Sequence, residues 1–379
     1  MPIRAEQLHA QGQSVWLDFI RRGHLTSGGF ERLVREEGVV GVTSNPTIFQ
    51  QAIAGGDDYD AAIAQRIAEG LSGAALFEAL AVEDIQLACD ALRPVFERTQ
   101  RLDGRVSIEV SPRLAHDTEG TIDEARRLHR SVARDNLLVK VPATPEGLPA
   151  ISALLAEGIS VNVTLIFSIA RYEQVMQAYL AGLAERAGAG KALDALYSVA
   201  SFFVSRVDSK VDGAIERAAA ALPAAAPQRA ELESLRGRAA VANARLAYAR
   251  FVEAFAAPAF ATLRARGAHV QRPLWASTST KNPAYPDTLY VDELVGPDTV
   301  NTMPLATLVA YNQHGSLERR IDRDLDAARA LFRRLPELGV PIDTLIAELE
   351  EEGVRAFQKS YDALLETLEI KRRDVAIRR

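Results

Sequence analysis

The chain has 379 residues, with 44 lysines and arginines against 50 aspartates and glutamates, which gives a net charge of −6. Apolar residues make up 48% of the chain and charged residues 25%, which is typical of a globular protein with a large core. The mild acidity argues against a general nucleic-acid-binding protein, which usually carries a basic excess. A single cysteine, Cys89, excludes an intramolecular disulfide and a cysteine-based zinc cluster, and it favours a reducing compartment.

Export and membrane signals are not found in the sequence. The N-terminal segment, MPIRAEQLHAQGQ, lacks the apolar core of a secretory signal peptide. No stretch reaches the roughly 18 apolar residues that a membrane-spanning helix needs. We therefore expect a cytoplasmic protein outside the membrane. A homo-oligomer is possible, but no heptad run specifies one.

Eight short runs rich in valine, isoleucine, leucine and phenylalanine are predicted to form strands. Most of them are bounded by glycine, proline or charged residues. In chain order, the predicted strands cover residues 14–19, 39–44, 107–112, 137–143, 159–165, 196–205, 272–278 and 299–304.

Helical patterns lie between these strands. Apolar residues recur at intervals of three and four over residues 120–134 and 167–186, and a long charged helix is predicted over 342–367. Alternating strands and helices imply parallel pairing, and eight such units favour a (β/α)8 TIM barrel over a doubly wound sheet. Residues 45–106 and 206–271 are too long for one crossover helix, so we interpret each as an insertion of two or three helices. The whole chain, 1–379, is then expected to be a single barrel domain.

Polar side chains occur where barrel strands should be apolar, mostly toward the ends at which barrel active sites form. An unpaired charge buried in such a strand costs several kcal/mol, on the order of the net stability of a domain. Any one of these groups taken alone fits a structural network equally well, but six strands delivering polar groups to one rim favour a functional site. The residues concerned are Asp18, Asn45, Glu109, Lys140, Asn162, Thr164 and Ser201, with Phe203 beside them.

Lys140 has a specific chemical use. It lies between apolar residues in the sequence LLVKVPA, and burial disfavours the charged form of an amine. A neutral amine can attack a carbonyl and form a Schiff base, which withdraws electrons and lets a neighbouring C–C bond break or form. Glu109, on the adjacent strand, suits the acid–base role in imine formation through a water held by Thr164. Asp18 suits proton transfer at the substrate hydroxyl.

Six segments resemble the transaldolase family, in its longer-chain subfamily. They are GVTSNPTIF (41–49), LLVKVPAT (137–144), ISVNVTLIFS (159–168), SFFVSRVD (201–208) and WASTSTKNPAY together with DTVNTMP near the C-terminal strands. The similarity extends from about residue 15 to beyond residue 307. The combination of SNPTIF with the Asn-Val-Thr strand is specific to this family.

The resemblance implies a (β/α)8 barrel that transfers a dihydroxyacetone unit from a ketose phosphate to an aldose phosphate in the pentose phosphate pathway, with no metal or organic cofactor. Lys140 would form the Schiff base, Glu109 and Thr164 would handle the catalytic water, and Asp18 would act in C–C cleavage. Asn45 and Asn162 would hydrogen-bond the hydroxyls of the dihydroxyacetone unit, Ser201 would line the pocket beside them, and Phe203 would also contact the substrate.

Arg206 would bind the substrate phosphate, for which a guanidinium has matching geometry. Many shorter family members add an arginine after the seventh strand. This chain has STSTKN at 277–282, so Lys281, with Ser277 or Ser279, is the candidate second phosphate ligand.

Two other functions compete with the transferase. One is a Schiff-base aldolase that uses free dihydroxyacetone, although such aldolases tend to carry glutamine and tyrosine where this chain has Glu109 and Phe203. The other is a non-catalytic barrel that binds sugar phosphates, which loss of Lys140, Glu109 or Asp18 would have supported. All three are present, which favours the transferase.

Overall fold

A computed structural model describes residues 3–377, and a closed barrel of eight parallel strands forms its centre. Each strand pairs with the next along the chain, and the eighth pairs with the first. Every strand overlaps its predicted segment, so the predicted (β/α)8 barrel is confirmed. The strands are β1 (Gln13–Leu17), β2 (Gly41–Val42), β3 (Arg105–Glu109), β4 (Leu137–Pro142), β5 (Val161–Ile166), β6 (Ser198–Phe203), β7 (Arg272–Ala276) and β8 (Thr299–Met303).

Helices surround the barrel. The first half of the chain contains α1 (Arg4–Ala10), α2 (Arg22–Thr26), α3 (Gly29–Glu36), α4 (Pro46–Ala54), α5 (Asp60–Ala68), α6 (Gly73–Ala91), α7 (Arg93–Arg98), a 3₁₀ helix (Pro112–Leu114), α8 (Thr118–Val132), α9 (Gly147–Glu157) and α10 (Ile169–Gly188). The second half contains α11 (Ser205–Ala220), α12 (Pro227–Ser234), α13 (Ala239–Ala256), α14 (Pro258–Arg264), α15 (Leu289–Asp292), α16 (Leu305–His314), α17 (Leu325–Glu337) and α18 (Ile342–Ile377).

The two long connections each hold four helices, where the sequence pattern predicts two or three. Helices α4–α7 lie between β2 and β3, and α11–α14 lie between β6 and β7. Helices α7, α12 and α14 each have a proline in the first turn, so the two connections are divided into more and shorter helices than predicted. A proline fits the first turn of a helix but interrupts its interior, which explains the additional breaks.

The second strand is the shortest, yet its pairing with β1 extends beyond two residues. Backbone Val40 N donates to Val15 O at 2.9 Å, and Thr43 N donates to Leu17 O at 3.0 Å. The β2 residue Gly41 has no room for a side chain, because a Cβ there would lie 2.5 Å from the Trp16 ring. The fully buried Trp16 ring therefore packs against β2 at position 41, where only glycine leaves room for it.

Helix α18 crosses the C-terminal face of the barrel. Its predicted start at residue 342 is confirmed, but it runs ten residues past the predicted end, to residue 377. It contacts segments that follow four different strands, through the pairs Arg171–Glu350, Lys210–Glu348, Gln358–Pro112 and Thr47–Ser360. Neither this helix nor any other within residues 3–377 has the length and hydropathy to cross a membrane.

Candidate active site

Lys140 lies in the centre of β4 and is only 4% exposed. Its Nζ donates hydrogen bonds to the Ser44 carbonyl oxygen and to Oε2 of Glu109, both at 3.2 Å. The register of the sheet places Glu109 directly beside Lys140 on β3 and Asn162 directly beside it on β5. The amine is thus held at a defined point inside the barrel by two oxygen acceptors.

Glu109 is the last residue of β3, and its side chain is 7% exposed. Burial raises its pKa to about 7, although the Lys140 ammonium beside it acts in the opposite direction. A carboxyl group with a pKa near neutrality can both give and accept a proton at physiological pH. The buried ion pair therefore places an acid–base group within hydrogen-bonding distance of the amine.

Asp18 follows β1 at the same rim. Its backbone N donates to Met303 O at 2.8 Å, which ties it to the end of β8. One carboxylate oxygen accepts a 2.7 Å hydrogen bond from the Thr43 hydroxyl, which is itself 2.7 Å from the Thr302 hydroxyl. Burial raises the pKa of Asp18, while the hydrogen bond from Thr43 and the charge of Lys140 lower it.

Asn162 is fully buried in β5 and is oriented by two serines. Its Nδ2 donates to Ser107 Oγ at 3.0 Å, and its Oδ1 accepts from Ser201 Oγ at 2.7 Å. One amide hydrogen remains for a further acceptor, because a primary amide carries two donors. The predicted pair of Asn162 and Ser201 is therefore one hydrogen-bonded unit in the barrel interior.

Thr164 is also fully buried, and its hydroxyl has no hydrogen-bond partner among the described residues. Beside it, the register between β5 and β6 shifts, and Leu165 has a left-handed φ of 61°. A branched side chain in that conformation is strained, and such strain is concentrated at functional sites. The bulge thus lies next to a buried hydroxyl that remains available to a ligand.

Asn45 caps the N-terminus of α4, directly after β2. Its Oδ1 accepts a 3.0 Å hydrogen bond from Ile48 N, and Pro46 occupies the first helical position. This use of the side-chain oxygen fixes the orientation of the amide and leaves Nδ2 as a donor. The SNP part of the motif is thus explained locally by helix capping as well as by its place at the rim.

Phe203 and Arg206 lie at the junction of β6 and α11. The Arg206 guanidinium lies 5.4 Å from the centre of the Phe203 ring, and Phe203 also packs on Phe167. Arg206 forms no salt bridge within residues 3–377, and its pKa is lowered by burial alone. A partly buried guanidinium without a carboxylate partner is suited to an anionic ligand.

The loop after β7 brings the remaining candidates to the same rim. Ser277, with a left-handed φ of 56°, lies 2.9 Å from Ser205 through the two hydroxyl oxygens. Lys281 is exposed and donates to Ser279 Oγ at 2.7 Å. Its pKa is lowered first by burial and then by the charge of Arg206, while Asp18 raises it. The charges of Arg206 and Asp18 thus both act on this lysine.

All eleven predicted site residues therefore lie on or next to strand segments at one end of the barrel. Sequence reasoning missed Thr43 and Thr302, which contact or support Asp18, and Phe357, whose ring centre lies 5.5 Å from Lys140 Nζ. The threonines carried a signal, since both are polar residues within or beside barrel strands. Phe357 gave no such signal, because an apolar residue in an amphipathic helix is ordinarily interpreted as part of the hydrophobic core.

The arrangement combines a buried amine, an adjacent acid–base group, a second carboxylate and a cationic rim. These are the parts needed for carbonyl chemistry on an anionic substrate. No group of three or more histidine, cysteine or acidic side chains within the described chain is placed to hold a metal ion.

Comparison with known proteins gives a consistent result. Residues 15–368 match the family model described as transaldolase/fructose-6-phosphate aldolase. The chain is 51% identical to "Transaldolase" of Parafrankia sp. (strain EAN1pec) over 362 residues, which cover 95% of this chain and 96% of that protein. It is 51% identical, at the same coverage, to "Transaldolase" of Thermobifida fusca (strain YX).

A third relative, "Transaldolase" of Mycobacterium tuberculosis (strain ATCC 25618 / H37Rv), is 50% identical over 361 residues, or 95% of this chain and 94% of the relative. Matches of this extent include the barrel, both helical insertions and α18. The protein is an enzyme of the transferase class, and the chain belongs to the transaldolase family.

Proposed function

We propose that this enzyme transfers a dihydroxyacetone unit through a Schiff base on Lys140. The donor is sedoheptulose 7-phosphate or fructose 6-phosphate, and the acceptor is glyceraldehyde 3-phosphate or erythrose 4-phosphate, as in the pentose phosphate pathway. The observation that carries the proposal is the buried Lys140 amine held at 3.2 Å from both Glu109 and the Ser44 carbonyl. A cytoplasmic location and a homo-oligomeric state stay predictions.

Imine formation uses the groups nearest the amine. The nitrogen attacks the ketose carbonyl, and the resulting carbinolamine loses water to give the imine. Glu109, with a pKa of about 7, supplies and recovers the protons of this step. The unpartnered hydroxyl of Thr164 is suited to hold the water that enters and leaves.

Cleavage of the C–C bond requires a base at the substrate hydroxyl. Asp18 takes the hydroxyl proton, the bonding electrons move toward the imine, and an aldehyde leaves. The three-carbon unit stays on Lys140 as an enamine, which then attacks the incoming aldehyde while Asp18 returns the proton. The amide and hydroxyl donors of Asn45, Asn162 and Ser201 would bind the hydroxyls of this unit, and Phe203 would form an apolar wall beside it.

The phosphate of donor and acceptor would bind at the cationic rim. Arg206 offers a guanidinium without a carboxylate partner, and Lys281, coupled to it electrostatically, supplies a second positive charge. Ser277 adds a hydroxyl 2.9 Å from that of Ser205, the residue before Arg206. Two cations facing one opening favour a phosphorylated substrate over a neutral sugar.

Borohydride trapping tests the proposal. Incubation with fructose 6-phosphate and sodium borohydride should leave a reduced dihydroxyacetone adduct on the peptide that contains Lys140, identified by mass spectrometry. Addition of erythrose 4-phosphate before the reductant should discharge the adduct. The variant Lys140→Met should give no adduct, and trapping at another lysine would overturn the assignment. An adduct that erythrose 4-phosphate does not discharge would instead indicate an aldolase.

A further inference from the structure

Phe357 projects from α18 toward the candidate site and is 4% exposed. Its ring centre lies 5.5 Å from Lys140 Nζ, 6.0 Å from Cζ of Arg206 and 6.5 Å from the ring centre of Phe203. The mechanism proposed above gives this side chain no task. It nevertheless borders both the reacting nitrogen and the group that would bind the phosphate.

The surroundings of the Lys140 amine are asymmetric. Lys140 Nζ donates hydrogen bonds to oxygen atoms of Ser44 and Glu109, and it also lies within cation–π distance of the Phe357 ring. A substrate that is bonded to Lys140 and reaches Arg206 with its phosphate would lie beside this ring, because Lys140 Nζ and Arg206 Cζ lie 5.5 and 6.0 Å from its centre. The ring offers no hydrogen bond to water, so it covers the intermediate with apolar surface.

The ring is held rigidly by the helix that carries it. On one side of Phe357, the Glu350 carboxylate binds the Arg171 guanidinium at 2.8 Å, with both side chains less than 20% exposed. On the other side, Ser360 Oγ accepts from Thr47 Oγ1 at 2.9 Å. These ties connect α18 to helices that follow β5 and β2, so the cover over Lys140 spans the barrel mouth.

We propose that Phe357 is a specificity-determining residue that shields the covalent intermediate from water and thereby favours transfer over release of free dihydroxyacetone. This inference rests on the proposed Schiff-base function. The enamine on Lys140 can either be transferred to an acceptor or be released as free dihydroxyacetone, and α18, which carries Phe357, then influences the ratio of the two.

The two fates differ in what bonds to the enamine carbon. In transfer, that carbon forms a C–C bond with the acceptor aldehyde, whose oxygen takes a proton from Asp18, and the product is released by hydrolysis of the new imine. In release, the carbon takes a proton instead, water adds to the imine carbon and returns a proton, and the C–N bond breaks. One water is consumed, and dihydroxyacetone and the Lys140 amine are regenerated. Both routes end in hydrolysis of an imine, but only the second needs water before the acceptor has bonded to the enamine. Excluding water at that stage therefore favours transfer over release.

The test compares the two products for the full-length enzyme and for Phe357→Ala. With fructose 6-phosphate as donor, free dihydroxyacetone is measured by its reduction with glycerol dehydrogenase and NADH, and transfer by sedoheptulose 7-phosphate formed from erythrose 4-phosphate. The ratio of release to transfer should rise on the order of tenfold in Phe357→Ala, since water then reaches the intermediate. Borohydride trapping on Lys140 should persist in the variant.

Two further variants separate shielding from helix packing. Leu364, two turns along α18 and fully buried, provides a matched control, because Leu364→Ala loosens the same helix without removing the ring near Lys140. It should leave the product ratio unchanged. Phe357→Gln keeps a long side chain but hydrogen-bonds water, so it should raise the ratio even if Phe357→Ala does not fold.

Two results would overturn the inference. An unchanged product ratio in the folded Phe357 variants would leave the ring a packing role only, and an equal rise in Leu364→Ala would assign the effect to the helix as a whole. Failure of the proposed function is a separate outcome, since it would show as absence of trapping in the unmodified enzyme.

Discussion

Two carboxyl groups at the rim of the barrel differ in their surroundings, and the difference suits two tasks. Glu109 is paired with an ammonium and has a pKa of about 7, so it is available as acid and base near neutral pH. Burial raises the pKa of Asp18 as well, but its carboxylate accepts a hydrogen bond from the Thr43 hydroxyl, which acts in the opposite direction. Environments of this kind separate the roles of two chemically similar side chains.

The hydrogen bond from Thr43 to Asp18 leads to a prediction about pH. Removing the hydroxyl in Thr43→Val removes an influence that lowers the Asp18 pKa, so that pKa should rise. Asp18 then becomes ionised only at higher pH, and the acidic limb of the cleavage rate should move to higher pH. Pre-steady-state release of the aldehyde, measured between pH 5 and 9, checks this. Thr43→Ser retains the donor and should follow the unmodified profile, and a limb that stays in place in both variants would refute the role.

At the same scale, the sequence predicted the polar groups of the site better than their supporting contacts. Lys140, Glu109 and Asn162 were identifiable because a charged or amide side chain in a barrel strand needs an explanation. Of the hydroxyl groups near them, those of Ser201 and Thr164 were predicted, but those of Ser107, Thr43 and Thr302 were not, because a small hydroxyl side chain in a strand is only a weak signal of function. Which hydroxyl meets which carboxylate depends on the register between strands, as with Thr43 and Asp18.

Among the structural elements, α4 begins at a side chain that caps the helix and, in the proposed function, also binds the substrate. The Asn45 side-chain oxygen accepts a hydrogen bond from the backbone of the first turn, and its amide nitrogen remains available as a donor. The same residue thereby orients itself for a ligand and stabilises a helix of nine residues that packs under α18.

Two substitutions at Asn45 should separate these contributions. Asn45→Ser keeps a capping oxygen but lacks the amide donor, so kcat/KM should fall about tenfold while the free energy of unfolding stays within a few tenths of a kcal/mol. Asn45→Ala should show the same loss of kcat/KM and a further loss of about 1 kcal/mol in stability. Steady-state kinetics and urea unfolding provide the two readouts. If Asn45→Ser retained full kcat/KM, the amide would have no part in binding.

The elements also show where sequence patterns stop being informative. Strand positions and the start of α18 were predicted, because alternation with glycine, proline and charged boundaries is local information. The position of Phe357 over Lys140 was not, because it depends on where a helix from the end of the chain packs across eight strands. Arg105 shows a different error, since a charged residue there led to a predicted start of β3 at residue 107, two residues too late. Its guanidinium is in fact buried, 3.7 Å from the centre of the Tyr197 ring.

Across the whole molecule, the two ends of the barrel interior are polar for different reasons. At the end opposite Lys140, Asp103 accepts hydrogen bonds from the Arg272 guanidinium at 3.2 Å and from Ser14 Oγ at 2.7 Å. Arg272 also donates to the Thr299 carbonyl oxygen at 2.7 Å. This closed network ties β1, β7 and β8 together, and polar groups at that end of a barrel are associated with stability.

Breaking this network should therefore affect stability without changing the reaction. In Asp103→Asn the Arg272 guanidinium keeps its buried position but loses its charged partner, which should lower the free energy of unfolding by about 3–5 kcal/mol. Urea denaturation measures that loss, and borohydride trapping at low temperature should still modify Lys140. The exposed pair of Asp135 and Arg93, 3.6 Å apart, is the control, since Asp135→Asn should cost less than about 1 kcal/mol. A comparable decrease in the free energy of unfolding in both variants would mean that the buried Asp103–Arg272 pair stabilises the fold no more than an exposed pair does.

The order of elements along the chain has a consequence for biosynthesis. All eight strands, and with them Lys140, Glu109 and Asp18, precede the helix that carries Phe357. A nascent chain can therefore leave the ribosome with a complete set of strands before the ring that covers the Lys140 amine has been synthesised. Phe357 is thus synthesised after every strand residue of the site, and a chain halted before residue 357 would lack the ring that lies over Lys140.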